Sequence, residues 1–177
     1  DGLWTGGFQF GDWLDPDAAP DKPADAKADS DIVATACYFH VADLTSRACE
    51  VLGDHERAAT YAALAETIRS SFQRRFVTPD GYVMGDAPTS YAMAITWGML
   101  SDDQAKLAGA RLADLVRLSG FRISTGFVGT PIICDALSST GHSEVAYRLL
   151  QEKQLPSWLY PVTMGATTIW ERWDSML

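Results

Sequence analysis

The stretch that decides the fold is SDIVATACYFHVADLTSRACEVLGDHERAATYAALAETIRSSFQRRF, residues 30–76. An apolar run in its first half predicts a helix that Ser30 or Asp31 caps and Gly53 ends. Asp54 then caps a second helix, whose apolar side chains recur at alternating steps of three and four: Ala58, Tyr61, Ala65, Ile68, Phe72 and Phe76. Two helices joined by so short a turn predict an antiparallel αα-hairpin.

The chain continues in the same manner. A third helix is predicted to begin at Thr89 or Ser90, and a fourth follows Ser101, which forms a capping box with Gln104. Gly120 ends this fourth helix.

Residues 121–129 are too rich in glycine and β-branched residues for a helix and favour a short strand leading inward. Thr130 and Pro131 then predict the N-cap and first residue of a fifth helix. A sixth helix runs from Ser143 and stops before Pro156. Six helices in three hairpins are typical of bundles, helical repeats and α/α barrels, and the pattern alone does not choose among them.

Composition and charge restrict the class of protein. Of the 177 residues, 47% are hydrophobic and 21% charged, which is typical of a soluble globular domain, whole or in part. The formal net charge of -9 disfavours nucleic acid as a partner, because phosphate binding relies on clustered lysine and arginine.

The three cysteines have no CxxC spacing, so we expect neither a disulfide framework nor a zinc site. We expect no metal and no cofactor. No apolar run is long enough to cross a bilayer, so no membrane partner is predicted. The compartment stays open, with the cytoplasm favoured for a soluble protein.

Residues 156–175 alternate aromatic and acidic side chains, and a seventh helix is predicted to begin near Thr167 or Thr168. On such a helix Glu171 and Asp174 would share a face. Carboxylates among tryptophan rings are typical of sugar-cleaving sites, where a carboxylate activates water or donates a proton. The alternative is that the tryptophans pack in a core and the carboxylates are solvated.

Asp12-Trp13-Leu14-Asp15 forms a second group of this kind at the other end of the chain. The two groups can meet only if the fold brings the ends of the chain together. A barrel or a bundle would do so.

Three blocks carry a resemblance to a known family: FGDWLDP (residues 10–16), STGFVGTP (124–131) and YPVTMGATTIWERWD (160–174). In order and spacing they resemble bacterial α-L-rhamnosidases of glycoside hydrolase family 78. The resemblance covers essentially the whole chain. It implies an all-α fold of antiparallel helical hairpins forming part of an (α/α)6 barrel, and hydrolysis of terminal α-L-rhamnosyl groups with inversion.

The resemblance also implies roles for single residues. Glu171 would be the general base that activates water. Trp13 would pack against the face and methyl group of rhamnose, and Asp12 would hydrogen-bond a hydroxyl or hold its loop. Trp170 and Trp173 would contact substrate or pack in the core. The partner would be a rhamnose-containing carbohydrate.

The general acid of such enzymes lies in an Arg-Asp-Glu-Arg block, and no such block occurs in residues 1–177. We therefore expect residues 1–177 to be the C-terminal portion of an (α/α)6-barrel catalytic domain, incomplete and inactive in isolation. Six helices are half of the twelve that such a barrel needs. An incomplete barrel exposes an apolar face, so we also expect possible self-association.

Two alternatives stay open. One is a different α/α-barrel glycosidase that binds another sugar. The other is a non-catalytic helical binding module, against which the absence of a shared repeat period counts.

Overall fold

The structure, a computed structural model, describes residues 2–175 and is built from α-helices. The helices within this range are α1 (Ser30–Val51), α2 (His55–Phe76), α3 (Pro88–Thr96), α4 (Asp102–Leu118), α5 (Ile133–Ser139), α6 (Ser143–Gln151) and α7 (Leu159–Thr163). The extended pairing within 2–175 amounts to an isolated antiparallel bridge between Val77 and Val83. The predicted all-α class is confirmed.

The first six helices form three hairpins, in which α1 packs on α2, α3 on α4 and α5 on α6. Helix α3 also contacts both α1 and α5, so it occupies the middle of the array. All residues of 88–94 are buried, as expected of a helix enclosed on every side. The three predicted hairpins are therefore confirmed.

Several helix ends were predicted correctly from their capping residues. The Asp54 side chain accepts from the Arg57 N–H, and Ser101 and Gln104 form the predicted capping box of α4. The cap of α1 was predicted one or two residues too late. Asp29 is the N-cap, because its carboxylate accepts from the Asp31 and Ile32 amides.

The prediction for the start of α5 was wrong. Helix α5 begins at Ile133, with Ile132 as its N-cap. The Thr130 hydroxyl instead lies 2.9 Å from the Thr125 hydroxyl, so it joins two parts of the preceding loop and caps nothing. This loop, residues 121–129, contains no strand.

The seventh helix was also predicted at the wrong place. It spans Leu159–Thr163, where the Tyr160 N–H donates to the Ser157 hydroxyl, and the chain turns away at Gly165 with a φ of 82°. Residues 166–175 form bends and turns. Their β-branched Thr167-Thr168-Ile169 run lowers helix propensity, and Glu171 and Asp174 do not share a helix face.

The loops that precede α1, α3 and α5 meet at one end of the hairpin array. Asp12 receives hydrogen bonds from Thr89 at the start of α3 and from residues 126–129 before α5. The Ile123 N–H donates to the Pro156 carbonyl, which brings the segment after α6 to the same end. The two groups that the sequence singled out at opposite ends of the chain therefore lie at the same end of the fold.

Among residues 2–175 there is no helix whose length and apolar character would let it cross a membrane.

Candidate active site

A cleft of about 600 Å³ opens at the end where the loops meet. Two segments form most of its lining. The first, which we call the glycine wall, is residues 124–131. The second, the tryptophan wall, is residues 166–175. The cleft is lined by Leu14, Thr125, Gly126, Phe127, Thr130, Pro131, Trp158, Pro161, Val162, Ala166, Thr167, Thr168, Ile169, Trp170, Glu171 and Trp173.

The glycine wall is held from behind by the carboxylate of Asp12. The amides of Gly126, Val128 and Gly129 donate to the two Asp12 oxygens over 2.7, 2.9 and 3.1 Å. The Thr89 hydroxyl donates to the same carboxylate. Asp12 is fully buried, so these four donors come from protein groups rather than from water.

Two glycines allow this close approach. A Cβ on Gly126 would lie 2.2 Å from the Asp12 carbonyl oxygen and 2.4 Å from the Trp13 carbonyl oxygen. A Cβ on Gly129 would lie 2.2 Å from the Thr89 hydroxyl. The glycine wall is thus pressed against backbone and side-chain atoms that leave no room for a methyl group.

Trp13 lies beside the cleft. Its carbonyl oxygen accepts from the Phe127 N–H at 2.9 Å, and its half-buried ring meets the Phe10 ring edge-on at 5.5 Å. Leu14, the next residue, lines the cleft directly and has a φ of 59°. The loop that carries Trp13 is therefore tied to the glycine wall by both Asp12 and the Phe127 amide.

The tryptophan wall brings Trp170, Glu171 and Trp173 to the cleft. The Trp173 ring packs edge-on against Trp158, with centroids 6.4 Å apart and planes at 85°, and it contacts the hydrophobic core. Trp170 is half-buried. Trp170 and Trp173, the two rings that the sequence singled out in this wall, thus line the cleft, and Trp173 also packs as a core residue does.

Glu171 is exposed and lines the cleft. Within residues 2–175 its side chain makes no hydrogen bond or salt bridge, and the charge of Arg172 is close enough to interact with it electrostatically. Its neighbour Arg172 instead donates from Nε and a terminal nitrogen to Asp174, over 3.0 and 3.1 Å. These hydrogen bonds from Arg172 hold the pKa of the Asp174 carboxyl below its usual value. Of the two carboxyl groups, Glu171 is the one left open to water in the cleft.

Part of the cleft lining was not predicted from the sequence. Leu14 and Phe127 stand in the conspicuous blocks, but apolar side chains there gave no sign of exposure to a cleft. Trp158 belongs to the aromatic and acidic segment of residues 156–175, and it also lines the cleft. In the part of the chain that the structure describes, no group of three potential metal ligands occurs.

Helical hairpins that end at a cleft lined by tryptophan rings and an exposed glutamate are typical of the helical-hairpin class of glycoside hydrolase domains. A family model described as the bacterial alpha-L-rhamnosidase 6 hairpin glycosidase domain matches residues 1–177. The chain belongs to this family, and its three hairpins are part of the six-hairpin barrel, as predicted.

Characterised relatives agree with this assignment. The chain is 40% identical over 176 residues to an alpha-L-rhamnosidase of Streptomyces avermitilis, covering 99% of this chain and 16% of that protein. The crystal structure of an α-L-rhamnosidase from Aspergillus terreus matches 97% of this chain at 35% identity, with a TM-score of 0.93.

The structure of the Streptomyces avermitilis alpha-L-rhamnosidase complexed with L-rhamnose matches 99% of this chain at 41% identity, with a TM-score of 0.86. The chain covers 20% of the Aspergillus terreus chain and 16% of the Streptomyces avermitilis chain. It thus spans about one-fifth of their length or less.

Proposed function

We propose that an enzyme carrying this chain hydrolyses terminal α-L-rhamnosyl groups from glycosides or polysaccharides. The observation that carries the proposal is the cleft that Trp170, Glu171 and Trp173 line together, in a chain of the rhamnosidase family. The complex of the Streptomyces avermitilis relative with L-rhamnose supports rhamnose as the sugar that this cleft binds.

Glu171 is the general base of the proposed reaction. An exposed carboxylate that makes no hydrogen bond or salt bridge among residues 2–175 can accept a proton from a water molecule in the cleft. As the water loses its proton it attacks the anomeric carbon, and the glycosidic bond breaks on the opposite face of the sugar, which inverts the anomeric centre.

The leaving oxygen needs a proton, and an inverting enzyme holds its acid roughly 6.5–9.5 Å from the base. We propose that this general acid lies outside residues 1–177, and that these residues form the C-terminal portion of the barrel domain. The small share of the relatives that the chain spans supports this proposal.

The aromatic residues would bind the sugar. Trp170 and Trp173 line the cleft, and their rings can pack against the apolar C–H faces of rhamnose. Trp13 would also pack against the sugar. This role is supported by its neighbour Leu14, which lines the cleft, and by the hydrogen bond from the Phe127 N–H to the Trp13 carbonyl. For Asp12, the hydrogen bonds support the second of its two expected roles, which is to hold a loop.

The test is hydrolysis of an aryl α-L-rhamnoside by the full-length enzyme, with aryl α-L-fucoside, α-D-mannoside and α-D-glucoside as comparison substrates. We expect a clear preference for the rhamnoside and a β-configured first product by NMR. Preference for another sugar would favour the alternative of a different α/α-barrel glycosidase. A first product with retained configuration would contradict the role of Glu171 as base.

The isolated residues 1–177 serve as a second sample. We expect no rhamnoside hydrolysis from them, because one carboxylate without an acid loses leaving-group assistance worth about 10²–10⁴-fold. Self-association of this isolated chain stays a prediction that analytical ultracentrifugation tests. A cytoplasmic location stays a prediction for cell fractionation.

A further inference from the structure

The carboxylate of Asp12 joins three segments that are distant in sequence. It lies in the loop before α1, and its partners are Thr89 at the start of α3 and the amides of residues 126–129 before α5. Asp12 has no exposed surface. Further chain around these residues could only bury it more, so a direct contact with substrate is not open to it.

The amides that Asp12 binds belong to the glycine wall. Gly126 lines the cleft itself, and Val128 and Gly129 lie between the lining residues Phe127 and Thr130. Buried N–H groups without an acceptor are costly, so this loop keeps its shape only while the acceptor is present. The position of one wall of the cleft therefore depends on a side chain that does not reach the cleft.

The chemistry of the donors calls for a carboxylate at this place. Three N–H groups and one hydroxyl point at two oxygen atoms, and an ionised carboxylate offers only acceptor sites. An asparagine has the same shape, but its NH₂ group would face at least one of these N–H donors. Asparagine should therefore fit the space and still release part of the loop.

We propose that Asp12 is a positioning residue, which fixes the glycine wall against α3 and the Trp13 loop and so sets the width of the sugar-binding cleft. The inference rests on the proposed function for its kinetic consequence, but the positioning itself does not. Its effect is exerted through Gly126, Val128 and Gly129.

The experiment compares Asp12→Asn with Asp15→Asn in the full-length enzyme. Asp15 is a matched control, because it is also buried in the same loop but accepts from Asp17 and Lys27 rather than from the glycine wall. Amide hydrogen exchange of peptides covering 124–131 is measured beside the kinetics of an aryl α-L-rhamnoside.

For Asp12→Asn we expect faster exchange confined to 124–131 and a rise of KM of about tenfold or more, with a smaller change in kcat. A wall that contacts substrate equally in ground state and transition state acts mainly on KM. For Asp15→Asn we expect wild-type exchange in 124–131 and wild-type KM. If the two variants behave equally in either readout, the proposal is overturned, because Asp12 would then have no effect on the glycine wall beyond that of another buried carboxylate in the same loop.

If Asp12→Asn does not fold, Thr89→Val tests the same hydrogen-bond network. It removes only the hydroxyl donor and keeps the side-chain shape, so we expect the same two changes with smaller size. Unchanged exchange and KM in this variant would contradict the proposal. If the wild-type enzyme cleaves no rhamnoside, the proposed function fails, while the exchange comparison still decides whether Asp12 positions the wall.

Discussion

The two walls of the cleft are built in opposite ways. The glycine wall is fixed by hydrogen bonds to a fully buried carboxylate and by glycine contacts too close for a methyl group. In the tryptophan wall, Glu171 is exposed and Ile169 retains 96% of its accessible surface. Trp173 alone among the named residues of that wall packs into the core.

The difference corresponds to two tasks of the proposed sugar-cleaving cleft. A surface that holds a sugar benefits from a rigid position, because a displacement of about 1 Å can cost about 10² in rate. In the proposed reaction the Glu171 carboxylate must reach a water molecule in the cleft, and its exposed side chain is not held by packing against residues 2–175. Within the described residues the glycine wall is held by the Asp12 hydrogen bonds, whereas in the tryptophan wall Trp173 is the residue that packs against the core.

Glu171→Gln tests the tryptophan wall and should have the largest effect. The amide keeps the size of the side chain but cannot accept the proton, so we expect kcat of the full-length enzyme to fall by about 10²–10⁴-fold. Rhamnose affinity and thermal unfolding should stay as in the wild type. Glu144→Gln, which alters an exposed glutamate of α6, is the control. Near-normal turnover of Glu171→Gln would mean that the base lies elsewhere.

Gly126→Ala tests the glycine wall. Its Cβ would lie 2.2 Å from a backbone oxygen, so the wall must move, and we expect kcat/KM to fall by about 10². Overpacking should also lower the free energy of unfolding by about 1–3 kcal/mol. Gly98→Ala is the control, because Gly98 has a positive φ of 71° but open space around it. It should lose stability and keep wild-type kinetics. Wild-type kinetics in Gly126→Ala would show that the wall tolerates displacement.

Trp170→Ala and Trp173→Ala sharpen the comparison within the tryptophan wall. Each ring lines the cleft. Removing either should therefore raise KM about fivefold to tenfold, which is equivalent to a loss of about 1–1.4 kcal/mol in binding free energy. Only Trp173→Ala should also lower the thermal unfolding midpoint, because Trp173 packs on Trp158 and the core. Equal stability losses would mean that Trp170 is as tightly packed as Trp173.

Asp174→Asn should have the smallest effect. Hydrogen bonds from Arg172 depress the pKa of Asp174, so the pair contributes stability above the ordinary pKa of an aspartate. That contribution is lost as the pH falls through the depressed value. Both side chains are more than one-third exposed, so solvent screening keeps the effect small. Thermal unfolding of wild type and variant should differ slightly at neutral pH and coincide in strong acid. A difference that grows on acidification would contradict this assignment.

Local signals in the sequence predicted the hairpins well. The three-and-four spacing of α2, the Asp54 cap and the Ser101–Gln104 capping box each depend on residues within a few positions of one another. The predictions failed where local signals competed with distant partners. Threonine is a residue type that often caps helices, but the Thr130 hydroxyl pairs with the Thr125 hydroxyl. The carboxylate-and-tryptophan segment looked helical and instead forms bends and turns.

The sequence by itself determined the hairpin architecture and the family, because helix periodicity, caps and motif blocks are written in neighbouring residues. It also named Trp170, Glu171 and Trp173, which all line the cleft. Only the tertiary structure decided the part that Asp12 plays. Its amide donors lie 114 to 117 positions away along the chain, and no local pattern encodes a hydrogen bond over that separation. Burial of the carboxylate behind the glycine wall follows from three loops meeting at one end of the hairpins, which is a property of the packed chain.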